Sequence, residues 1–293
     1  MSAIWITAIA LTLRIFANPI GNVFQKQLTF QCGIHPLLIN FLTYFGLSIA
    51  LLAFFTQSDW TALSLDFWGS AVFVGILGAV GNGFLIKALQ IGDLSILGPI
   101  NAYKSVIGII GGVLILGEIP STKGLIGVCL IIFGSYFIFD TIENKFSWKI
   151  FKRKEILYRL LALVFTATEA VFLKRCISLS SPSIAFYAWC VFGAFFSFIL
   201  LKTTKINLKT EKKKFQKQAI VKLILLIISL GTMQLTTNYV FNNMQVGYAL
   251  SLFQLSIIIS ILFGKQFFQE TNIIKKLLAG IIMIAGSILI IWS

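Results

Sequence analysis

Charged residues are scarce in this chain. Asp, Glu, Lys and Arg make up 12% of its 293 residues, whereas a soluble domain usually contains about 25%. Hydrophobic residues account for 58%, and the mean hydropathy is +0.93. A soluble fold needs polar side chains over much of its outer surface, and this chain has too few of them. The composition excludes an ordinary soluble domain and favours a protein surrounded by lipid.

Residues that bind metals or carry redox chemistry are also few. The chain has one histidine, His35, and four cysteines, none of which form a CxxC pair. We therefore predict no metal site and no cofactor. HExxH, GxSxG and Walker A motifs are absent from the sequence. This argues against a membrane enzyme and against direct use of ATP, so no catalytic residue is predicted.

Acidic residues are outnumbered, and the net charge is +14. Most basic residues stand between apolar stretches, without the fingerprint of a nucleic-acid-binding module. We therefore expect no nucleic-acid partner. Basic connections between apolar segments are instead typical of membrane proteins, where they set topology and contact lipid head groups.

Long apolar stretches recur along the chain at about the length a helix needs to cross a bilayer. They lack the alternating polarity of a membrane barrel. The sequence predicts an all-α membrane protein with ten transmembrane helices at 3–25, 36–56, 67–88, 94–116, 123–140, 157–176, 182–201, 219–241, 246–264 and 275–292.

The two halves of the chain share short motifs in the same order. Val23–Lys26 reads VFQK and Val171–Lys174 reads VFLK. Each half would hold five helices, an odd number, so the second half would enter the membrane from the opposite side. This predicts two inverted repeats around a central cavity, an arrangement found in many secondary transporters. The domains would be residues 1–141, a basic connection at 142–156, and residues 157–293.

Several of these motifs resemble those of the EamA-like family in the drug/metabolite transporter superfamily. The end of the first helix is similar to that family's N-x-x-x-K pattern, and each half ends in an acidic residue followed by spaced glycines. The residues that carry the resemblance are Asn22, Lys26, Gly117–Ser121, Gly127, Gly134, Glu270, Gly280 and Gly286. The resemblance implies ten helices around a central cavity and alternating access. Members of the superfamily move amino acids, nucleotide sugars, phosphorylated sugars, choline and drugs.

Three charges fall inside predicted spans: Arg14, Lys104 and Glu169. A charge near the bilayer centre costs about 2.5–3.5 kcal/mol, which a cavity, partner or solute must offset. All three would lie near the membrane midplane, where inverted-repeat transporters bind solute. Their net positive charge favours a carboxylate or phosphate. One alternative is a structural Arg14–Glu169 pair, and another is that Glu169 carries a coupling proton or receives a substrate ammonium group.

Polar residues inside other spans complete the predicted site. Asn18 precedes Pro19, which we expect to interrupt the first helix and expose backbone groups. Asn101 shares a helical face with Lys104. The predicted solute-binding residues are Arg14, Asn18, Asn40, Tyr44, Asn82, Asn101, Lys104, Glu169, Thr236, Asn238 and Ser256.

The basic residues also predict orientation. The odd-numbered loops hold 19 of the 24 Lys and Arg residues. The positive-inside rule would place these loops in the cytoplasm, with both termini outside. We expect a secondary transporter in a bacterial inner membrane, as a monomer or homodimer, moving a small anionic or zwitterionic metabolite with a coupling ion or counter-substrate. The alternatives are a flippase or transporter for a lipid-linked or cationic solute and, more weakly, a channel.

Overall fold

The computed structural model describes residues 3–53, 60–104, 106–107, 121–143, 148–244 and 246–291. Most of these residues are helical, and none of them lies in a strand. The α-helices are α1 (Ala3–Lys26), α2 (Pro36–Ala50), α3 (Leu65–Ile91), α4 (Leu94–Leu97), α5 (Thr122–Glu143), α6 (Lys154–Leu179), α7 (Pro182–Lys202), α8 (Leu208–Lys214), α9 (Lys217–Asn243), α10 (Val246–Leu252), α11 (Ser256–Phe268) and α12 (Ile273–Ile291). A π-helical turn covers Gln27–Gln31, and 3-10 turns cover Pro99–Ala102, Trp148–Lys152 and Phe253–Leu255.

Five helical segments are long and apolar enough to cross a membrane by length and composition: Trp5–Gln31, Leu65–Ile91, Lys154–Leu179, Pro182–Lys202 and Lys217–Asn243. Three shorter apolar helices cover Pro36–Ala50, Thr122–Ile138 and Phe253–Phe268. Large apolar side chains such as Trp5, Phe16 and Ile281 are exposed, as expected where lipid replaces water. The helical class is confirmed, while ten spans and their inverted arrangement stay predictions.

Helix starts follow the local sequence. Proline is the first residue of both α2 and α7, where its missing N–H costs nothing. Before α2, the His35 side chain accepts a hydrogen bond from Leu37 N at 3.3 Å. Before α7, Ser181 Oγ accepts one from Ile184 N at 3.2 Å. The lone histidine is thus a helix cap.

The predicted break at Pro19 is wrong, because α1 continues through this residue. A proline removes one hydrogen bond from a helix, but packing against neighbouring helices can hold the helix together. Here α1 packs along α9. A Cβ atom added to Gly21, two residues after the proline, would lie 3.1 Å from Leu230 Cδ2 of α9.

Two other predicted spans are discontinuous. The predicted helix 94–116 begins as the short α4 and changes to a 3-10 turn at Pro99. Most of its remainder, with Gly108 and Gly112, lies outside the described residues, as does Glu118 just beyond it. In the second half, α10 and α11 are separated by the 3-10 turn at Phe253–Leu255. Each half therefore brings a broken helix towards the centre.

The segments α3–α4 and α9–α10 match in plan. Both α3 and α9 have 27 residues. Each is followed by a short helix and then a 3-10 turn. The two turns meet, because Asn101 Nδ2 donates to Gln254 Oε1 at 3.4 Å. This correspondence supports the repeat inferred from the sequence.

The long basic connection predicted between Lys202 and Lys222 contains the short helix α8. Glu211 of this helix accepts a hydrogen bond from His35 N at 2.9 Å, through Oε2. Lys214 of the same helix donates to Gly33 O at 2.6 Å. These bonds fix α8 against the connection between α1 and α2, so the basic segment is held in place.

Candidate solute-binding site

A cavity of about 110 Å³ lies between α1, α2, α3, α6, α7, α9 and the two broken helices. Seven of the eleven predicted residues line it: Arg14, Asn18, Tyr44, Asn82, Asn101, Lys104 and Glu169. Other polar lining residues are Asn22, Arg159, Thr166, Trp189, Gln234 and Thr237. The midplane charges predicted from the sequence are therefore brought together.

Arg14 reaches the cavity from α1 and is only 8% exposed. Its Nε donates to Thr237 Oγ1 at 2.8 Å, and its guanidinium carbon lies 4.3 Å from the centre of the Phe253 ring. Its Nη1 atom is buried and has no hydrogen-bond partner in the described part of the chain. Because an unpaired buried donor of a charged group is costly, this atom is suited to an anionic ligand.

Glu169 faces the same cavity from α6. Its Oε1 accepts a hydrogen bond from Trp189 Nε1 at 2.6 Å, and the Trp189 ring packs 4.5 Å from that of Tyr44, centre to centre. Gly78 makes room for the carboxylate, because a Cβ atom there would lie 2.6 Å from Glu169 Oε1. No salt bridge joins Glu169 to Arg14 among the described residues. The alternative of a direct structural pair is therefore not what the structure shows.

Lys104 follows the 3-10 turn of the first broken helix and lines the cavity. It interacts electrostatically with Arg14, Arg159 and Glu169. No hydrogen bond or ion pair of Lys104 is present among the described residues.

Arg159 is the main site residue that the sequence analysis missed. It lies on α6 and is only 7% exposed. Its Nε donates to Leu97 O at 2.8 Å, and its Nη2 donates to Asn101 Oδ1 at 3.1 Å. It thus ties the first broken helix to α6. Arg159, Ala162, Thr166 and Glu169 all line the cavity at successive spacings of three, four and three residues, the pattern of one helical face that could have identified Arg159 from the sequence.

Side-chain amides form a second part of the wall. Asn82 Nδ2 donates to Asn40 Oδ1 at 2.8 Å, and Gln25 Nε2 donates to Asn82 Oδ1 at 3.3 Å. Asn22 lines the cavity one turn from Asn18, and its Oδ1 has no hydrogen-bond partner within the described ranges. The wall therefore offers a solute both amide donors and amide acceptors.

Four residues that were predicted to contact solute do not line this cavity. Asn40 lies behind Asn82 and donates to Ala79 O at 2.9 Å. Thr236 bonds within its own helix, to Thr232 O at 2.6 Å. Asn238 donates to Pro182 O at 3.0 Å, and Ser256 donates to Phe253 O at 2.7 Å. In each case the polar group bonds to protein.

One end of the helical bundle holds what we call the Glu270 cluster: Lys26, Gly92, Leu94, Ser95 and Glu270. Lys26 Nζ lies 2.9 Å from Glu270 Oε1 and also donates to Gly92 O at 2.9 Å. The Glu270 carboxylate accepts from Leu94 N and Ser95 N, each at 2.8 Å. Glu270 therefore caps α4 and joins the two halves of the chain.

Ionisation of Glu270 is favoured by its neighbours. Burial raises the pKa of its carboxyl group, but the charge of Lys26 and the hydrogen bonds from Ser95 and Lys26 outweigh burial and hold the pKa below its usual value. The side chains of Glu270 and Lys26 are 4% and 7% exposed, so water screens this pair little.

Among the described residues no group of His, Cys, Asp and Glu is arranged to hold a metal ion. All four cysteines are free, and Cys176 and Cys190 are buried. The polar groups that line the cavity, among the described residues, are cations, amides, hydroxyls, the Trp189 indole and one carboxylate.

Apolar helices of membrane-spanning length that enclose a polar cavity are typical of an integral membrane transporter. Comparison with known proteins agrees. The model of the EamA-like transporter family matches residues 5–140 and 153–292. The chain belongs to this family, and its two matched segments correspond to the two halves of the sequence.

The fold has counterparts among solved structures, of which 27 chains match. One of them, described as "Crystal structure of protein", covers 98% of this chain and 96% of its own, with a TM-score of 0.63 and 14% sequence identity. This likeness concerns the fold alone. No curated protein matches the chain.

Proposed function

We propose that this protein is a secondary transporter that moves a small anionic or zwitterionic metabolite, such as an amino acid or an organic or phosphorylated acid, by alternating access. The observation that carries the proposal is the unpaired Nη1 of Arg14 in the cavity wall. Lys104 and Arg159 add two further cations, and Glu169 is the one acid among the described lining residues.

The charge balance favours an anion for a physical reason. Removing cations from water is costly unless a counterion or hydrogen bonds compensate. A carboxylate or phosphate between Arg14 and Lys104 would supply both, and an arginine can hold such a group through two parallel hydrogen bonds. Glu169 would then remain available for a substrate ammonium group or a coupling proton.

Alternating access is supported by how the cavity is bounded. The Glu270 cluster joins the first and second halves at one end of the bundle. The broken helices meet beside the cavity at Asn101 and Gln254. Discontinuous helices at a repeat interface are a recurring way to build a midplane solute site. We propose that the protein has ten helices in two inverted five-helix halves, residues 1–141 and 157–293. In this proposal the two halves rock around the contact between the broken helices.

The Glu270 cluster includes Lys26 at the end of α1, and the basic segment around α8 contacts Gly33 and His35 just beyond it. We propose that this end faces the cytoplasm of a bacterial cell and that both termini lie outside. A coupling ion or counter-substrate would drive transport. Glu169 supports one alternative, a cationic solute held by its carboxylate beside the rings of Tyr44 and Trp189.

The proposal is tested by binding to the purified protein. Thermal stabilisation is measured with amino acids, organic acids, sugar phosphates and choline-like cations, followed by counterflow of the best ligand in liposomes. Loss of one charge-assisted hydrogen bond costs about 1.5–3 kcal/mol, so Arg14→Gln should weaken an anion about ten- to hundredfold. Lys104→Ala should also weaken it.

The matched control is Arg175→Gln. This arginine is paired with Asp66 and its side chain is 57% exposed, away from the cavity. It should leave ligand binding unchanged. Stabilisation by choline-like cations alone, or equal anion binding by the parent and Arg14→Gln, would refute the anion site.

A further inference from the structure

The cavity is polar at one end. This end lies beside the Glu270 cluster, since α1 finishes there at Lys26 and α6 begins close by: a Cβ atom added to Gly92 would lie 2.9 Å from Glu155 Cβ. The described lining residues nearest this end are Asn22, Asn82, Asn101 and Arg159, together with the apolar Leu85 and Ala162. Cations and amides therefore gather on this side.

The opposite end of the cavity is apolar. It is lined by Leu173 near the end of α6, Phe241 near the end of α9, Leu250 near the end of α10, and Phe253, the first residue of the turn that follows α10. Leu173 and Arg159 are separated by 14 positions on the same helix, which corresponds to about 21 Å along its axis. The lining thus changes from polar to apolar over a distance longer than a single small head group.

Arg14 stands between these two regions. Its guanidinium packs over Phe253 of the apolar end. Lys104, with which it interacts electrostatically, belongs to the polar side. An anionic group held by Arg14 Nη1 would therefore leave the rest of the same solute within reach of Leu173, Phe241 and Leu250.

We propose that the solute is amphipathic: an anionic head group lies at Arg14 and Lys104, and an apolar tail lies against Leu173, Phe241, Leu250 and Phe253. This inference rests on the proposed anion transport and deepens it by naming the solute class, a carboxylate or phosphate ester that carries a hydrocarbon or aromatic group. These four side chains form the apolar part of the cavity wall, and a hydrocarbon or aromatic group placed against them would be removed from water.

The test is a series of unbranched carboxylates: acetate, butyrate, hexanoate and octanoate, with inorganic phosphate as the head group alone. Dissociation constants are measured on the full chain in detergent. Burial of each methylene should tighten binding about three- to fourfold until the apolar end is filled, after which affinity falls. A parallel series carries trimethylammonium head groups on tails of the same lengths. Comparison of the two series at each length separates binding at the site from partition of the tail into detergent.

Variants at Leu250 probe the tail site, because this residue is only partly buried and is therefore tolerant of substitution. Leu250→Ala should move the optimum to a longer tail, and Leu250→Phe should move it to a shorter one. Leu262→Ala is the matched control, since Leu262 lies on α11, is 45% exposed and does not line the cavity. It should leave the optimum unchanged.

The outcomes separate this inference from the proposed function. If phosphate and acetate bind through Arg14 but affinity is flat or falls with tail length, the apolar end is a closed plug and the inference is overturned while anion transport stands. If the Leu250 variants leave the optimum unchanged, the tail site is misplaced and the inference also falls. If no anion binds, both proposals fail.

Discussion

Removal of either partner of the Lys26–Glu270 pair should strongly destabilise the protein. Their side chains are 7% and 4% exposed, and breaking a buried ion pair by losing one partner costs about 3–5 kcal/mol. Glu270→Leu should also leave Leu94 N and Ser95 N without their cap. Lys26→Met keeps that cap but strands the carboxylate.

The double variant Lys26→Met/Glu270→Leu should be more stable than the sum of the single effects predicts. Its remaining penalties are the uncapped start of α4, which is worth about 0.5–2 kcal/mol, and the loss of the Lys26 hydrogen bond to Gly92 O. We therefore expect a coupling energy of at least about 2 kcal/mol between the two sites, measured by a double-mutant cycle of unfolding in detergent. Additive effects, or single losses below about 1 kcal/mol, would refute the reasoning that the cluster is a buried junction between the halves.

Two further predictions concern acid stability and packing. The pKa of Glu270 is lower in the folded protein, so its stabilising effect is complete above the unfolded pKa of about 4.3 and is lost as pH falls through the lower folded value. As pH is lowered below about 4.3, the unfolding temperature should fall less for Glu270→Gln than for the parent. An equal fall of unfolding temperature with pH in the two proteins would contradict this prediction. Gly78→Ala should cost about 1–3 kcal/mol and disturb the binding site, because its Cβ would lie 2.6 Å from Glu169 Oε1. Its control, Gly69→Ala on the same helix, meets nothing within 4 Å and should be neutral or stabilising; equal behaviour of the two variants would contradict the packing argument.

The sequence was most informative where a residue was out of place in lipid. Arg14, Lys104 and Glu169 are charges inside apolar stretches, and the structure brings all three to one cavity. Arg159 carries the same charge, but it lies among basic residues at a predicted helix start and was counted as part of a loop. Composition alone cannot distinguish an arginine in a loop from an arginine in the first turns of a helix whose side chain faces the interior.

Packing depth and helix continuity were harder to predict. Asn40 and Tyr44 are one turn apart on α2, yet Tyr44 lines the cavity while Asn40 bonds to its neighbours behind the wall. Because residues four apart share a helical face, the difference depends on position along α2 and on the packing of α3 beside Asn40, which a single sequence does not encode locally. Proline was ambiguous for a similar reason, because α1 continues through Pro19 whereas the first broken helix changes type at Pro99.

The cap on α4 has a consequence for the chain as a whole. The first turn of this helix belongs to the N-terminal half, but the carboxylate that satisfies its Leu94 and Ser95 amides comes from Glu270, about 175 positions later in the chain. The N-terminal half by itself thus lacks the carboxylate that caps one of its helices. Although the chain contains two similar units, its second copy has become part of the structure of the first, and the two are interdependent partners rather than interchangeable duplicates.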